Sequence, residues 1–500
     1  MSPSPAPAPS FRHSRFVFHR LLALTYLVGF ASLAVQILGL VGQDGLLPVE
    51  PFLARAEQFY GDRAPFLFPT VTWFWSTDTA LLTLCWLGVG VSLLAIASVA
   101  PVVTYGVLWV LYLSLAVAGQ TFLAFQWDTL LLEAGLLGIV YAPWGWWSGR
   151  GGEPSVPARW LLWTLVFKLT FLSGITKLVS GDPLWSGLTA LNFHYQTQPI
   201  PTATSWFVHQ LPPWVQMTSV AIMFAVELIV PFLVFAPVRY RRLRAGAVLL
   251  MCLLQLAIAA TGNYGFFNIL TIVLCLSLLD DAHLARAVGF RQRSGIIHEA
   301  SDHVVTREPL LWRASVALVA VAIGAVSAVT FWDEVTYTRP RSEWAQPLRR
   351  AIQPLRSING YGLFRTMTTT RPEIVVEASL DGDSWEEYRF RWKPGALDRQ
   401  PGFVQPHMPR LDWLLWFAAL DPNGNRHWLT TLMDRLFDES AAVLGLLEND
   451  PLPGLDASPR YLRLALYDYT FTTAEERART GRWWNREFRG YLTDVVARDR

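Results

Sequence analysis

The chain reads as a polytopic α-helical membrane bundle of about nine spans, followed by a C-terminal α+β, β-sandwich-like domain outside the membrane. Three observations predict this. Of the 500 residues, 52% are hydrophobic and only 16% charged, against about 25% charged in soluble domains, and the mean hydropathy is +0.30. Apolar runs near the length needed to cross a bilayer recur through the first two thirds. Near Thr338 the composition changes, and charge with period-two alternation replaces the long runs.

Residues 1–15, rich in Pro and Ala, read as a disordered N-terminus. The membrane region is placed at 16–337 and the C-terminal domain at 338–500. Phe16 to Leu40 exceeds a signal-peptide core and lacks an A-x-A cleavage site, so it reads as a retained anchor. Further spans are expected near Thr79 to Val99, Pro101 to Ala118, Thr121 to Ala142, Arg159 to Val179, Trp214 to Ala236, Leu243 to Ala260, Gly265 to Leu279 and Leu311 to Phe331. The two around Gly262 and Asn263 are short enough to form one re-entrant pair.

Lys and Arg should collect on alternate loops. Arg12, Arg15 and Arg20, then Arg150 and Arg159, then Arg239, Arg241, Arg242 and Arg244, then Arg286, Arg291, Arg293 and Arg307 all fall cytoplasmic in one register. Ser180 to Pro213 has neither residue and falls outside. With an odd number of spans the tail from Trp332 to Arg500 is extracytoplasmic.

In that tail, Ile374 to Ser379 and Trp385 to Trp392 are strand-like, joined by an Asp381-Gly382 turn, with Tyr388, Phe390 and Trp392 on one face. Leu411 to Leu420 and His427 to Leu447 carry helical spacing, and Tyr461 to Phe471 alternates again. A small β-sandwich, or a sheet covered by helices, is the expected result; its hairpin resembles those of discoidin-like sandwiches.

Several chemistries find no support. A net charge of +2 with Arg clusters only between spans gives no nucleic-acid face. Cys85, Cys252 and Cys275 lie in expected spans without a C-x-x-C, so neither a disulfide framework nor thiol exchange is indicated. The nine His form no metal-ligand spacing, and no metal or cofactor is expected.

The most informative residues are the charges inside spans, because an ionisable group at a helix centre costs about 2.5 to 3.5 kcal/mol unless it finds partners. At 1.5 Å per residue, Asp128 and Glu133 lie roughly 13 and 20 Å below the outer end of their span, with Lys168 near the midplane. Glu227 lies at a comparable depth, so Asp128, Glu133, Lys168 and Glu227 are expected to form one intramembrane cluster. A desolvated Lys168 would suit a base or a substrate counter-ion; the plainer alternative is a set of buried ion pairs holding helices in register. Lys177 is close enough to the outer interface to snorkel.

Outside the membrane, Trp185, Phe193, Tyr195, Trp206 and Trp214 suit an interfacial helix and loop lying on the bilayer. Asn192, His194, Tyr195, Gln198 and Asn263 form a candidate extracytoplasmic motif, although a lone His is usually structural and Gly262 to Gly265 suits a tight turn.

Phe125-Gln126-Trp127-Asp128 through Glu133, Leu191-Asn192-Phe193-His194-Tyr195-Gln196-Thr197-Gln198-Pro199, Thr261 to Asn268, Tyr361 to Phe364, Arg371 to Ile374 and Pro406-His407 to Phe417 resemble, in order, the lipase maturation factor family. The resemblance implies a polytopic membrane protein, resident in the endoplasmic reticulum in animals, with a chaperone-like role in the maturation of secreted lipases and no known reaction of its own. It implies the bilayer and an exported lipase client as partners. A distant similarity of the membrane region to vitamin K-dependent carboxylases supplies the alternative, a membrane enzyme acting on a lipid or quinone-like substrate. The C-terminal Val496 to Arg500 is no retention signal, and the Ala/Arg/Pro-rich composition suggests a bacterial member in the cell membrane, its tail facing outward.

Overall fold

The computed structural model describes residues 9–146, 152–287, 310–336, 343–451 and 458–498. Seven helices are long and apolar enough to cross a membrane. They comprise α1 (Arg12–Ala34), α2 (Asp78–Ile96), α3 (Pro101–Ala118), α5 (Val156–Val179), α8 (Pro213–Leu228, continued to Phe235), α9 (Arg241–Thr261) and α11 (Leu310–Thr336). Two of the expected spans are shorter: α4 is Gln126–Tyr141, 16 residues, and α10 is Phe267–Leu276, ten residues. Two small helices, α6 (Leu191–Thr197) and α7 (Ala203–His209), lie between α5 and α8.

Local chemistry sets the ends of these helices. Thr77 accepts from the Ala80 amide at 3.3 Å ahead of α2, with Asp78 in the first turn. Ser155 does the same for Ala158 ahead of α5, with Pro157 in the first turn. Close packing follows from small residues: Gly88 of α2 faces the Phe30 ring and Gly135 of α4 faces the Tyr26 hydroxyl, in each case with no room for a Cβ. The helix expected to begin near Phe16 runs from Arg12. Arg15, buried, donates to the Gly152 carbonyl at 2.5 Å. Residues 1–8 lie outside the described residues.

The C-terminal region contains one antiparallel sheet of five strands. They are β1 (Pro372–Ser379), β2 (Glu386–Glu387), β3 (Tyr461–Phe471), β4 (Trp484–Tyr491) and β5 (Val496–Ala497), in the order β2-β1-β3-β4 with β5 on the start of β3. Ile374, Val376 and Ala378 pair with Leu466, Leu464 and Leu462, giving β1 an apolar face that α12 (Arg410–Leu420) covers. Among the described residues there is no second sheet, so the arrangement is a sheet backed by helices and not a sandwich. The strand expected from Trp385 to Trp392 is only two residues long; of the three rings expected on one face, Tyr388 and Phe390 are buried and Trp392 is half-buried. The long helix expected over His427 to Leu447 breaks after α13 (Arg426–Phe437), because Glu439 turns left-handed (φ 51°) and Ser440 caps a new short helix.

One continuous apolar cluster runs from Leu22, Tyr26 and Tyr112 of the bundle through Trp127 and Tyr264 to Trp413, Ile374 and Leu432 of the sheet region. The two regions share a core.

Candidate functional site

The charges expected in one cluster separate into three ion pairs. Azimuth separates the first two, because residues five apart on a helix point about 140° away from each other and Asp128 and Glu133 of α4 therefore face different neighbours; position along the helix separates the third. Asp128 sits in the first turn of α4, where the helix dipole favours a carboxylate. Its Oδ1 accepts from the Tyr112 hydroxyl at 2.6 Å and from Arg410 Nη2 at 2.7 Å, and Oδ2 accepts from Arg410 Nη1 at 2.9 Å. This is a bidentate pair, buried on both sides. Arg410 Nη1 also donates to the Phe122 carbonyl at 2.7 Å.

Glu133 Oε1 binds the Lys168 ammonium. Its Oε2 accepts from the Tyr361 hydroxyl at 2.7 Å and the Asn359 amide at 3.1 Å. Glu227 belongs elsewhere: its Oε2 takes a hydrogen bond from Lys177 at 2.9 Å. Lys177 is buried, bonded also to the Ser173 carbonyl at 2.8 Å and lying 5.3 Å from the Trp185 ring, so it does not snorkel. Nine residues along one helix separate it from Lys168 by about 13 Å.

The extracytoplasmic motif is likewise an interface. Tyr264 donates to Gln198 Oε1 at 2.7 Å and lies 3.0 Å from His194 Nε2. Gln198 Nε2 donates to the Thr261 carbonyl at 2.6 Å. Asn263 donates to the Gly402 carbonyl at 2.8 Å and accepts from the Val404 amide at 2.9 Å, tying a turn between helices to the C-terminal region. Tyr195 is buried with Trp206, Tyr469 and Trp484. Asn192, half-buried, makes no side-chain hydrogen bond among the described residues. Burial without a partner acid holds His194 down at about 4, through desolvation first and the Lys177 charge second.

From the other side, Arg371 donates to the carbonyls of Gln196 (2.8 Å), Gln198 and Pro199 (2.7 Å), and Glu373, between Arg371 and Lys393, balances its charge at 2.7 and 2.8 Å. Trp416 donates to the Thr197 carbonyl at 2.7 Å. The aromatic loop expected on the bilayer surface is therefore mostly covered by protein. Trp185 donates to the Phe364 carbonyl and Trp206 to that of Thr472, both rings buried, while Trp214 alone of the Trp set is largely exposed, at 68%.

Arg410, Arg371, Tyr361, Tyr112 and Lys393 were not singled out from sequence. The available signal was that Arg371, Tyr361 and Arg410 lie in or beside the ordered motifs, and that buried carboxylates in spans require cationic or hydroxyl partners from somewhere.

The model for the lipase maturation factor transmembrane domain matches residues 13–286, and that for the lipase maturation factor C-terminal domain matches residues 357–493. The chain belongs to the lipase maturation factor family. Similar relatives include lipase maturation factor 2 of Gallus gallus, 35% identical over 95% of this chain and 80% of its own length. Lipase maturation factor 2 of Homo sapiens is 34% identical over 95% and 82%, and lipase maturation factor 1 of Bos taurus is 33% identical over 97% and 91%. No solved structure matches the chain. In this lipase maturation factor family member both matched regions meet at the buried pairs: Asp128, Glu133 and Gln198 come from the first, and Arg410, Tyr361 and Arg371 from the second.

Proposed function

We propose that the chain is a membrane-embedded maturation and assembly factor that assists the folding of exported lipases. The observation that carries this is the match to lipase maturation factors 1 and 2 through nearly the whole chain, together with the interlock that makes the two matched regions one unit. In this reading the buried charges are structural, and the client meets the outer surface of the sheet domain, since the loop from Ser180 to Pro213 is occupied in holding that domain.

Nine crossings, counting α4 and α10, and an extracytoplasmic sheet domain fit this reading. What supports them is how the ends of the helices gather. The Phe11 amide donates to Glu153 at 2.7 Å, the His13 amide to Asp281 at 2.9 Å, Ala100 to the Trp146 carbonyl at 2.8 Å, and Arg244 to the Leu278 carbonyl at 3.0 Å, which gathers the starts of α1, α3 and α9 with the end of α10. Contacts of the sheet domain fall at the opposite ends, as where Gln36 donates to the Met408 carbonyl at 2.8 Å and Arg356 to that of Ala116 at 2.8 Å. If the source is bacterial, as the composition suggests, the membrane is the cell membrane.

An enzyme acting on a lipid or quinone-like substrate is not favoured. Lys168, its best candidate base, is committed to Glu133. The deciding experiment measures secreted lipase activity per mass of exported protein in a deletion strain complemented with wild type, Lys168→Met, or Lys168→Met with Glu133→Gln. Maturation predicts activity lost on deletion and regained by the double variant, in which no charge is left unpaired. Unchanged activity on deletion would overturn the role, and failure of the double variant at normal abundance would return Lys168 to chemistry. Truncation near Thr338 is a poorer test, because it strips Asp128 and Glu133 of Arg410, Tyr361 and Asn359.

A further inference from the structure

Between β3 and β4 lies α14 (Ala474–Thr480), whose start is fixed by a reciprocal cap: Thr473 Oγ1 accepts from the Glu476 amide at 3.1 Å and Glu476 Oε2 from the Thr473 amide at 2.8 Å. The next residue, Arg477, is held among rings. Its guanidinium carbon lies 3.7 Å from the Trp483 centroid, 4.9 Å from Trp206 and 5.8 Å from Phe207. Its buried Nε has no hydrogen-bond partner, and no carboxylate among the described residues pairs with it. Stacking occupies the faces of a guanidinium and leaves its N–H edge for an acceptor. Trp206, Phe207, Gln210, Ala478 and Gly481 join Arg477 in lining a cavity of about 550 Å³.

The position of this cavity indicates what fills it. Gln216, in the first turn of α8, donates to the Val208 carbonyl at 2.7 Å, and Gln210 donates to the Thr472 carbonyl at 3.2 Å. The cavity therefore sits at the level where a membrane-crossing helix begins. Phe207, Leu211, Trp214 and Met217 are all exposed and lead from its rim onto the outer face of α8. Aromatic rings beside an unpaired arginine, continuous with a lipid-facing helix, match the headgroup layer of a bilayer.

We propose that this cavity binds the headgroup phosphate of an anionic phospholipid, with Arg477 donating to phosphate oxygens and the acyl chains running past Phe207, Leu211 and Trp214 along α8. An arginine fork suits phosphate oxygens bidentately, and its stacking on rings orients it before the lipid arrives. The site is independent of any client and holds whether or not the chain matures lipases.

The test is native mass spectrometry of the full chain in detergent micelles, titrated with phosphatidylglycerol, phosphatidylcholine or inorganic phosphate. Wild type should retain phosphatidylglycerol in preference to both others. Arg477→Gln should weaken that retention about tenfold or more, the worth of a charge-assisted hydrogen bond. Ala478→Asp, at an exposed lining position, should do the same without touching the ring stack, so a loss there is not a folding defect. Phosphatidylglycerol retained equally by wild type and Ala478→Asp would overturn the proposal. So would equal uptake of inorganic phosphate, which would mark a free-anion site, or equal uptake of phosphatidylcholine.

Discussion

Arg410→Met removes a cation from a place where its partner cannot be rehydrated. Three hydrogen bonds disappear: two to Asp128, at 2.7 and 2.9 Å, and one to the Phe122 carbonyl at 2.7 Å. Asp128, fully buried, keeps only the Tyr112 hydroxyl. Stranding one member of a buried pair costs about 3 to 5 kcal/mol, which raises the population of the undocked state by roughly two to four orders of magnitude. Asp128→Leu combined with Arg410→Met removes both charges and should cost much less, so the two substitutions should couple by about 2 kcal/mol or more. Limited proteolysis of the purified chain in detergent, following cleavage between the bundle and the sheet region, reads this directly. The reasoning fails if Arg410→Met is cleaved within about fivefold of wild type, or if the two substitutions simply add.

Arg371→Met should loosen the clasp on Gln196, Gln198 and Pro199 and strand part of Glu373, costing about 3 kcal/mol or more by the same physics; increased amide exchange in Leu191 to Pro199 would show it, and unchanged exchange would refute it. Gly39→Val places side-chain atoms against the Ala442 carbonyl and Leu446 and should destabilise the docked state by about 1 to 3 kcal/mol, visible as a lower midpoint in thermal unfolding. His194 and His407 are both held at about 4, His194 by burial and Lys177, His407 by burial and then Arg410 and Arg391. Their folded values lie below the ordinary histidine value near 6.5, so the stability linked to keeping them neutral is present above about 6.5 and is lost as pH falls from there towards 4. Proteolytic opening should therefore rise over that interval, and less steeply in His407→Gln; a flat profile would contradict both assignments.

The long helices α1, α2, α3, α5, α8, α9 and α11 were legible because an apolar run near bilayer length has few other outcomes. Strands β1 and β3 were legible for different reasons: β1 is a short apolar run buried almost throughout, and β3 alternates in part around a buried face. By contrast β4 passed unnoticed: Arg486, Glu487 and Arg489 interrupt its alternation, and as an edge strand it is mostly open to solvent. For the site, sequence located Asp128, Glu133, Lys168, Glu227, His194, Gln198 and Asn263 as residues needing partners, but depth along a helix carries no information on azimuth. Nor could one chain, read linearly, show that Arg410 would return to Asp128 across 282 residues.

That separation governs the order in which the molecule can be made. When α4 has been synthesised, the residue that neutralises Asp128 has not, and neither have Asn359 and Tyr361, which satisfy Glu133. The helices made first therefore wait with two carboxylates incompletely paired. Completion of the chain closes the molecule in the manner of a keystone: a defect at Arg410 is felt at the first turn of α4, and one at Asn359 or Tyr361 at the Glu133–Lys168 pair.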